Sequence, residues 1–109
     1  MPTRRTALTL IGSALALPLL GTQAQAAKTH TIRISGHSFS PRKLNAKVGD
    51  TVTFMNRDSA LHTGTARNGA FDTGRLQQGQ AAQVSLTAAG QIDYFCAVHP
   101  SMTGVILVS

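Results

Sequence analysis

Short runs of alternating apolar and polar residues constrain the fold of this chain more than any other feature of its sequence. Ile32 and Ile34 alternate with polar neighbours, and turn residues such as Gly49-Asp50 separate one run from the next. Successive side chains of a β-strand point to opposite faces, so this pattern indicates strands with one buried face. No long apolar stripe with the period of a helix follows residue 27.

The alternation recurs along the rest of the domain and predicts its architecture. Residues 57–79 are the exception, because they are rich in Gly and poor in apolar residues, and we expect an irregular excursion with one short strand near 62–66. Residues 104–109 are almost wholly apolar and predict a strand buried on both faces. Roughly six or seven short strands predict an all-β fold, a Greek-key β-sandwich of two packed antiparallel sheets. The inward-facing residues are predicted to be Leu44, Ala46, Val48, Val52, Phe54, Ala82, Val84, Leu86, Ile92, Tyr94 and Cys96.

The first 26 residues have the layout of a secretory signal. Arg4 and Arg5 precede an apolar run over 7–21, and Ala24-Gln25-Ala26 offers a cleavage site. The run is too short for a membrane span and contains Pro18. Residues 3–8 also resemble a twin-arginine signal. We therefore expect residues 1–26 to be a signal peptide and residues 27–109 to be an exported, periplasmic domain.

Composition narrows the functional classes. Hydrophobic residues make up 42% and charged residues 13%, which argues against a disordered chain. The net charge of +6 is basic. However, export removes nucleic acid as the usual target, and no face combines basic with aromatic residues. The basic side chains either steer an acidic partner or are simply solvated.

The single cysteine, Cys96, excludes an intramolecular disulfide. An unpaired thiol in an oxidising compartment persists when it is buried or bound to a metal. Cys96, His99 and Met102 lie three residues apart between two predicted strands, so their side chains can converge. Thiolate and thioether favour Cu(I), and imidazole also suits Cu(II). A closed zinc site would require more Cys or His.

A trigonal copper site with an axial Met needs a second histidine. Three candidates remain: His30, His37 and His62. His62 fits best, because it follows the end of a predicted strand and lies in the Gly-rich excursion. His30 is at the frayed start of the domain and His37 is in a turn, so both are predicted to be surface residues. Met55 is predicted to serve packing.

Several segments resemble the plastocyanin-like cupredoxins, over roughly residues 29–109. The spacing of Cys96, His99 and Met102, with the His99-Pro100 step, is that of the amicyanins in this family. Thr63 stands where an amicyanin has Asn, and Ile92 stands where a Tyr is common. The other matching segments are Phe39-Ser40-Pro41, Val48-Gly49-Asp50-Thr51-Val52-Thr53-Phe54, Asn56-Arg57-Asp58, Phe71-Asp72-Thr73-Gly74 and Gly90-Gln91-Ile92-Asp93-Tyr94-Phe95.

The resemblance implies a site and a function. His62, Cys96 and His99 would form the trigonal plane around one copper ion, and Met102 would be the axial ligand. The ion would alternate between Cu(I) and Cu(II) as the protein, a monomer, carries electrons between redox proteins such as a cytochrome or a periplasmic dehydrogenase. No stable membrane insertion is expected.

Two other functions use the same residues. One alternative is that the same ligands serve copper delivery or tolerance without electron transfer. Cys96 and His99 could also act as nucleophile and base, but no third group orients them and the domain has little room for a substrate cleft. We therefore expect no enzymatic activity. Leu61, Ala97, Val98 and Pro100 are expected to form an apolar rim where a partner docks.

Overall fold

The computed structural model describes residues 27–109, and the predicted signal peptide lies outside the described residues. Within this range the regular elements are eight β-strands. No helix in residues 27–109 is long and apolar enough to cross a membrane. The strands are β1 (Thr29–Ser35), β2 (Ser38–Ser40), β3 (Lys43–Ala46), β4 (Thr51–Asn56), β5 (Thr65–Ala66), β6 (Ala81–Ser85), β7 (Gly90–Phe95) and β8 (Thr103–Val108).

The strands form two four-stranded sheets, which confirms the predicted all-β sandwich. The first sheet has the order β2-β1-β4-β6 and the second has the order β3-β8-β7-β5. Both sheets are mixed, because β1 pairs with β4, and β3 with β8, in parallel. The prediction of purely antiparallel sheets was therefore wrong. The chain leaves the first sheet after β2, passes through β3 in the second, and returns at β4 running in the direction of β1.

Alternation along the strands places the predicted apolar faces between the two sheets. Phe39, Phe54, Phe71 and Tyr94 pack together at the centre, with ring centroids of Phe39 and Tyr94 4.7 Å apart and those of Phe54 and Tyr94 5.4 Å apart. Such edge-to-face pairs add about 0.5–1.5 kcal/mol each beyond the burial of their area. The remaining buried apolar residues of the strands are Ile32, Ile34, Ala46, Val52, Ala66, Val84, Ile92, Ile106 and Val108.

The expectations for the irregular segment, for Val48 and for the last strand have different outcomes. The irregular segment contains one short strand, β5, as expected. Val48 lies beyond the end of β3 and is 49% exposed, so its predicted inward position was wrong. The last strand, β8, is central in its sheet, but only its inner face is fully buried. Val105 and Leu107 on its outer face are half-buried, because a sandwich covers one face of each sheet.

A close contact crosses β7 and β8 where Tyr94 pairs with Gly104. A Cβ atom at Gly104 would lie 2.3 Å from the hydroxyl oxygen of Tyr94, so the ring occupies the space that a side chain would need. Among the described residues, the buried hydroxyl of Tyr94 has no hydrogen-bond partner. Burial raises the pKa of this phenol above its ordinary value. Gly104 therefore allows an aromatic ring to fill the core, and the hydroxyl contributes little to stability.

Replacing Tyr94 with Phe tests this interpretation. An unpartnered buried polar group costs about 1–3 kcal/mol. The unfolding free energy of Tyr94→Phe, measured in urea, should therefore equal or exceed that of the parent protein. Tyr94→Ala, which removes the ring, should lose about 3–5 kcal/mol. A Tyr94→Phe variant that lost more than about 1 kcal/mol would show that the hydroxyl makes a stabilising bond.

Asp50 joins the start of the domain to the turn before β4. Its carboxylate accepts bonds from the backbone N–H of Lys28 at 2.9 Å and of Lys47 at 3.0 Å, and contacts His30 Nε2 at 2.8 Å. The Lys28 N–H, the His30 side chain and the Lys47 N–H lower the pKa of Asp50 to about 2. The prediction that His30 is a surface residue at a frayed end was wrong, because its side chain is only 20% exposed.

The Asp50 contacts predict a dependence of stability on pH. The pKa of the folded state, about 2, lies below the ordinary value of 3.8. The carboxylate therefore stabilises the fold above pH 3.8, and this contribution is lost as the pH falls through about 2. The difference in Tm between the parent and Asp50→Asn should be largest near neutral pH and should shrink towards about pH 2. Asp93→Asn at an exposed site is the control, and a difference for Asp50→Asn that is independent of pH would contradict this account.

Candidate metal centre

The loop between β7 and β8 carries three of the four predicted ligands. The backbone N–H of Cys96 donates to the carbonyl of Met102 at 3.0 Å, and the N–H of Met102 donates to the carbonyl of His99 at 2.9 Å. The first bond continues the β7–β8 pairing by one step, so Cys96 and Met102 lie side by side at the base of the loop, and the second closes a turn within the loop. Cys96 is fully buried and Met102 is 5% exposed, whereas His99 is half-buried. The loop therefore keeps both sulfur atoms inside and extends one imidazole towards the surface.

His62 comes from the irregular segment between β4 and β5. Its backbone exchanges two hydrogen bonds with Leu76, at 3.2 and 2.8 Å, which fix the segment locally as a β-bridge. The side chain is fully buried. Its Nε2 lies 2.9 Å from a carboxylate oxygen of Asp58. An ionised carboxylate only accepts, so Nε2 carries a hydrogen, and Nδ1 is the ring nitrogen on the side of Cys96.

The donor atoms of these residues converge on one point. Cys96 Sγ lies 3.7 Å from His62 Nδ1 and 3.9 Å from His99 Nδ1. A sulfur about 2.3 Å and a nitrogen about 2.0 Å from one metal ion, 120° apart, would lie about 3.7 Å from each other. Both sulfur–nitrogen distances are thus close to those of a trigonal N₂S site, and the donor set fits a copper ion.

Asp58 organises the segment before His62. The sequence pattern assigned no role to Asp58. Its two oxygens accept the N–H of Gly36 at 2.8 Å and of His37 at 2.9 Å, in addition to contacting His62. The N–H of His37, then the N–H of Gly36 and the side chain of His62, hold the pKa of Asp58 below its usual value, against the opposing effect of burial. The carboxylate is therefore ionised and connects the β1–β2 turn to His62.

Comparisons with known proteins agree with this architecture. A family model described as a cupredoxin-like domain matches residues 7–108. The chain belongs to the cupredoxin-like family. Two amicyanins are similar in sequence: that of Paracoccus denitrificans is 33% identical over 71% of this chain, and amicyanin-alpha of Methylorubrum extorquens is 27% identical over 71%. The chain spans 63% of the length of the former and 69% of the latter.

Solved structures of amicyanin have the same fold as this cupredoxin. A reduced tryptophan-to-tyrosine mutant matches with a TM-score of 0.70 and 30% identity, covering 74% of this chain and 82% of that one. A proline-to-glycine mutant in its reduced Cu(I) form also has a TM-score of 0.70 and 30% identity, over 79% of this chain and 88% of the other. The predicted resemblance to amicyanin-like cupredoxins is thereby confirmed.

Thr63, a departure noted in this cupredoxin's sequence, bridges the two ligand-bearing segments. Its backbone N–H donates to Cys96 Sγ at 3.3 Å, and its Oγ1 accepts the N–H of Ala97 at 2.7 Å. Thr65 Oγ1 lies 2.8 Å from the same hydroxyl. A hydrogen bond to a ligand sulfur is one of the features that tune the potential of a blue-copper site. Thr63 thus links the segment of His62 to the loop of Cys96.

The four residues predicted to form an apolar rim are all exposed. Leu61 is 38% exposed and Val98 is 37% exposed, and Ala97 and Pro100 are also exposed. Desolvating these side chains costs little, because none of them carries a charge. Three of them are close in sequence to the half-buried His99, and Leu61 precedes His62.

His37 lies beside the site, although the sequence pattern indicated only a surface residue. It is exposed, as predicted, but its ring stands edge-on to His62 at 5.0 Å and to His99 at 4.8 Å between centroids. A turn between two strands gave no sign of this position, because the partners are distant in sequence. Its proximity to two predicted ligands is a property of the fold alone.

Removing the Thr63 hydroxyl should loosen the link between the two segments. Thr63→Val leaves the N–H of Ala97 without its acceptor, and we expect a loss of about 1–3 kcal/mol in the unfolding free energy of the metal-free protein. Thr63→Ser keeps the hydroxyl and is the matched control. Equal stability of the Val and Ser variants would show that the hydroxyl does not hold the segments together.

Proposed function

We propose that this cupredoxin carries single electrons between redox proteins through one copper ion held by His62, Cys96, His99 and Met102. The observation that carries the proposal is the position of Cys96 Sγ, 3.7 and 3.9 Å from two imidazole nitrogens. When bound, copper supplies a one-electron couple between Cu(I) and Cu(II). The amicyanin relatives, one of which was solved in a Cu(I) form, support this assignment.

The residues around the site limit how far the donors can move. The two bonds to Leu76 and the contact with Asp58 fix His62, and the N–H of Thr63 holds Cys96. Thiolate and thioether suit Cu(I), and imidazole suits both oxidation states. A donor set that keeps its geometry in both states needs little rearrangement when an electron arrives. The frame therefore favours electron transfer over storage of the metal.

The exposed edge of His99 gives the electron a route to the surface. Of the four proposed ligands, His62, Cys96 and Met102 are buried, and His99 is the half-buried one. Val98 and Pro100 flank it in the sequence and are exposed, as is Leu61 beside His62, so a partner with an apolar face can exclude water there. We infer that the electron donor and acceptor, redox proteins such as a cytochrome or a dehydrogenase, dock at this rim.

The same features weigh against a nucleophilic enzyme. Cys96 is fully buried, whereas a reactive thiol must reach its substrate.

The signal-like sequence over 1–26 supports export to the periplasm, where we propose that the domain acts as a monomer. Copper delivery remains the alternative function, and it would require the ion to leave the site readily.

Loading the protein with one equivalent of Cu(II) tests the electron-carrier proposal. We expect an intense thiolate-to-copper absorption in the visible region and a narrow copper hyperfine splitting in the EPR spectrum. Both should disappear in Cys96→Ser, whereas Met55→Leu, which changes a Met outside the proposed ligand set, should keep them. Cyclic voltammetry should then show reversible reduction by one electron.

Other outcomes would reject the proposal. A pale complex with tetragonal EPR features would show that the Cys96 thiolate is not a ligand in the proposed plane. A complex that releases copper rapidly to a chelator and does not cycle would favour delivery.

A further inference from the structure

Three imidazoles, rather than two, meet at the mouth of the site. One donor nitrogen from each of His37, His62 and His99 lies within 4.8 Å of the other two. Nitrogens bound tetrahedrally to one ion at about 2.0 Å lie about 3.3 Å apart. The three donors are thus within about 1.5 Å of a binding arrangement, before any side chain has moved.

The backbone conformation of the turn between β1 and β2 places His37 at this point. The backbone φ of His37 is 56°, in the left-handed region that residues other than Gly seldom adopt. The N–H of His37 and the N–H of Gly36 both donate to Asp58, the carboxylate that also contacts His62. One side chain therefore positions the backbone of His37 and the ring of His62.

The His37 side chain can complete the approach. It is 56% exposed, its Nδ1 lies 3.9 Å from a carboxylate oxygen of Asp58, and its ring packs edge to face with His62 and His99. A rotation about its side-chain bonds can move a ring nitrogen by the missing distance of about 1.5 Å without disturbing the strands.

The chemistry of the donor set identifies the ion. We propose that His37, His62 and His99 form a three-imidazole site for Zn(II), which overlaps the proposed copper site and leaves the fourth position to water. Three His nitrogens and one water are a tetrahedral set for zinc, which rarely accepts the thioether of Met102. The two sites share His62 and His99, so this inference rests on the proposed ligand positions but not on electron transfer.

Zinc titration of His37 variants tests the proposal. His37→Phe keeps an aromatic edge against His62 and His99 but has no donor nitrogen, and His37→Asn suits the left-handed backbone. Competition with a chromophoric chelator should show Zn(II) binding weakened by at least about tenfold in both variants. Met55→Leu, which changes a Met outside both proposed donor sets, should leave the zinc affinity unchanged. In the parent protein, the ring nitrogens of His37 should shift in ¹⁵N NMR spectra when zinc is added.

The outcomes separate this inference from the proposed function. Parental zinc affinity in His37→Phe, with no shift of the His37 ring nitrogens, would overturn the zinc site and leave His37 as a packing residue. If that result came with an intense thiolate-to-copper band in the parent, the electron-carrier proposal would stand alone. A pale copper complex together with weakened zinc binding in both His37 variants would reject the carrier and support the zinc site. Near-UV circular dichroism of each metal-free variant checks that the fold is retained.

Discussion

The site depends on the contacts that Thr63 makes between two segments distant in sequence. Cys96 directly follows the end of β7, and His62 belongs to the irregular segment after β4. The N–H of Thr63 reaches the sulfur of Cys96, and its hydroxyl receives the N–H of Ala97. When the two donors of a metal site are held together before the metal binds, less of the binding free energy is spent on ordering the loops. This pair of bonds supplies part of that order.

The core beneath the site provides the rest of its rigidity. Phe54 and Tyr94 pack edge to face between the sheets, and Tyr94 lies two residues before Cys96 on the same face of β7. Gly64, two residues after His62, leaves no room for a side chain, since a Cβ there would lie 2.8 Å from the ring of Phe54. Both ligand-bearing segments therefore rest on the same aromatic ring pair. A small domain gains from this arrangement, because a single cluster stabilises the fold and the site together.

Much of the fold could be predicted because strand alternation is a local signal. The inward positions of Ile32, Phe54 and Tyr94 follow from a period of two, and the structure agrees. The parallel pairing of β1 with β4 did not follow, because it depends on where the chain crosses between sheets. The spacing of Cys96, His99 and Met102 is also local and indicated one loop. The bonds from Asp58 to Gly36 and His37 join residues about twenty positions apart, and no pattern within either segment specifies them.

Asp58 couples the position of His62 to that of His37, because its carboxylate contacts both residues. Its carboxylate fixes the hydrogen of His62 on Nε2 and also secures the turn that places His37 over His62 and His99. Cys96 and Met102 are buried, whereas the imidazole of His37 is exposed. In the two proposed sites, an ion that prefers sulfur takes Cys96 and Met102, whereas an ion that prefers nitrogen takes the further imidazole of His37. The choice between the two ions thus depends on which side chains join the same two imidazoles.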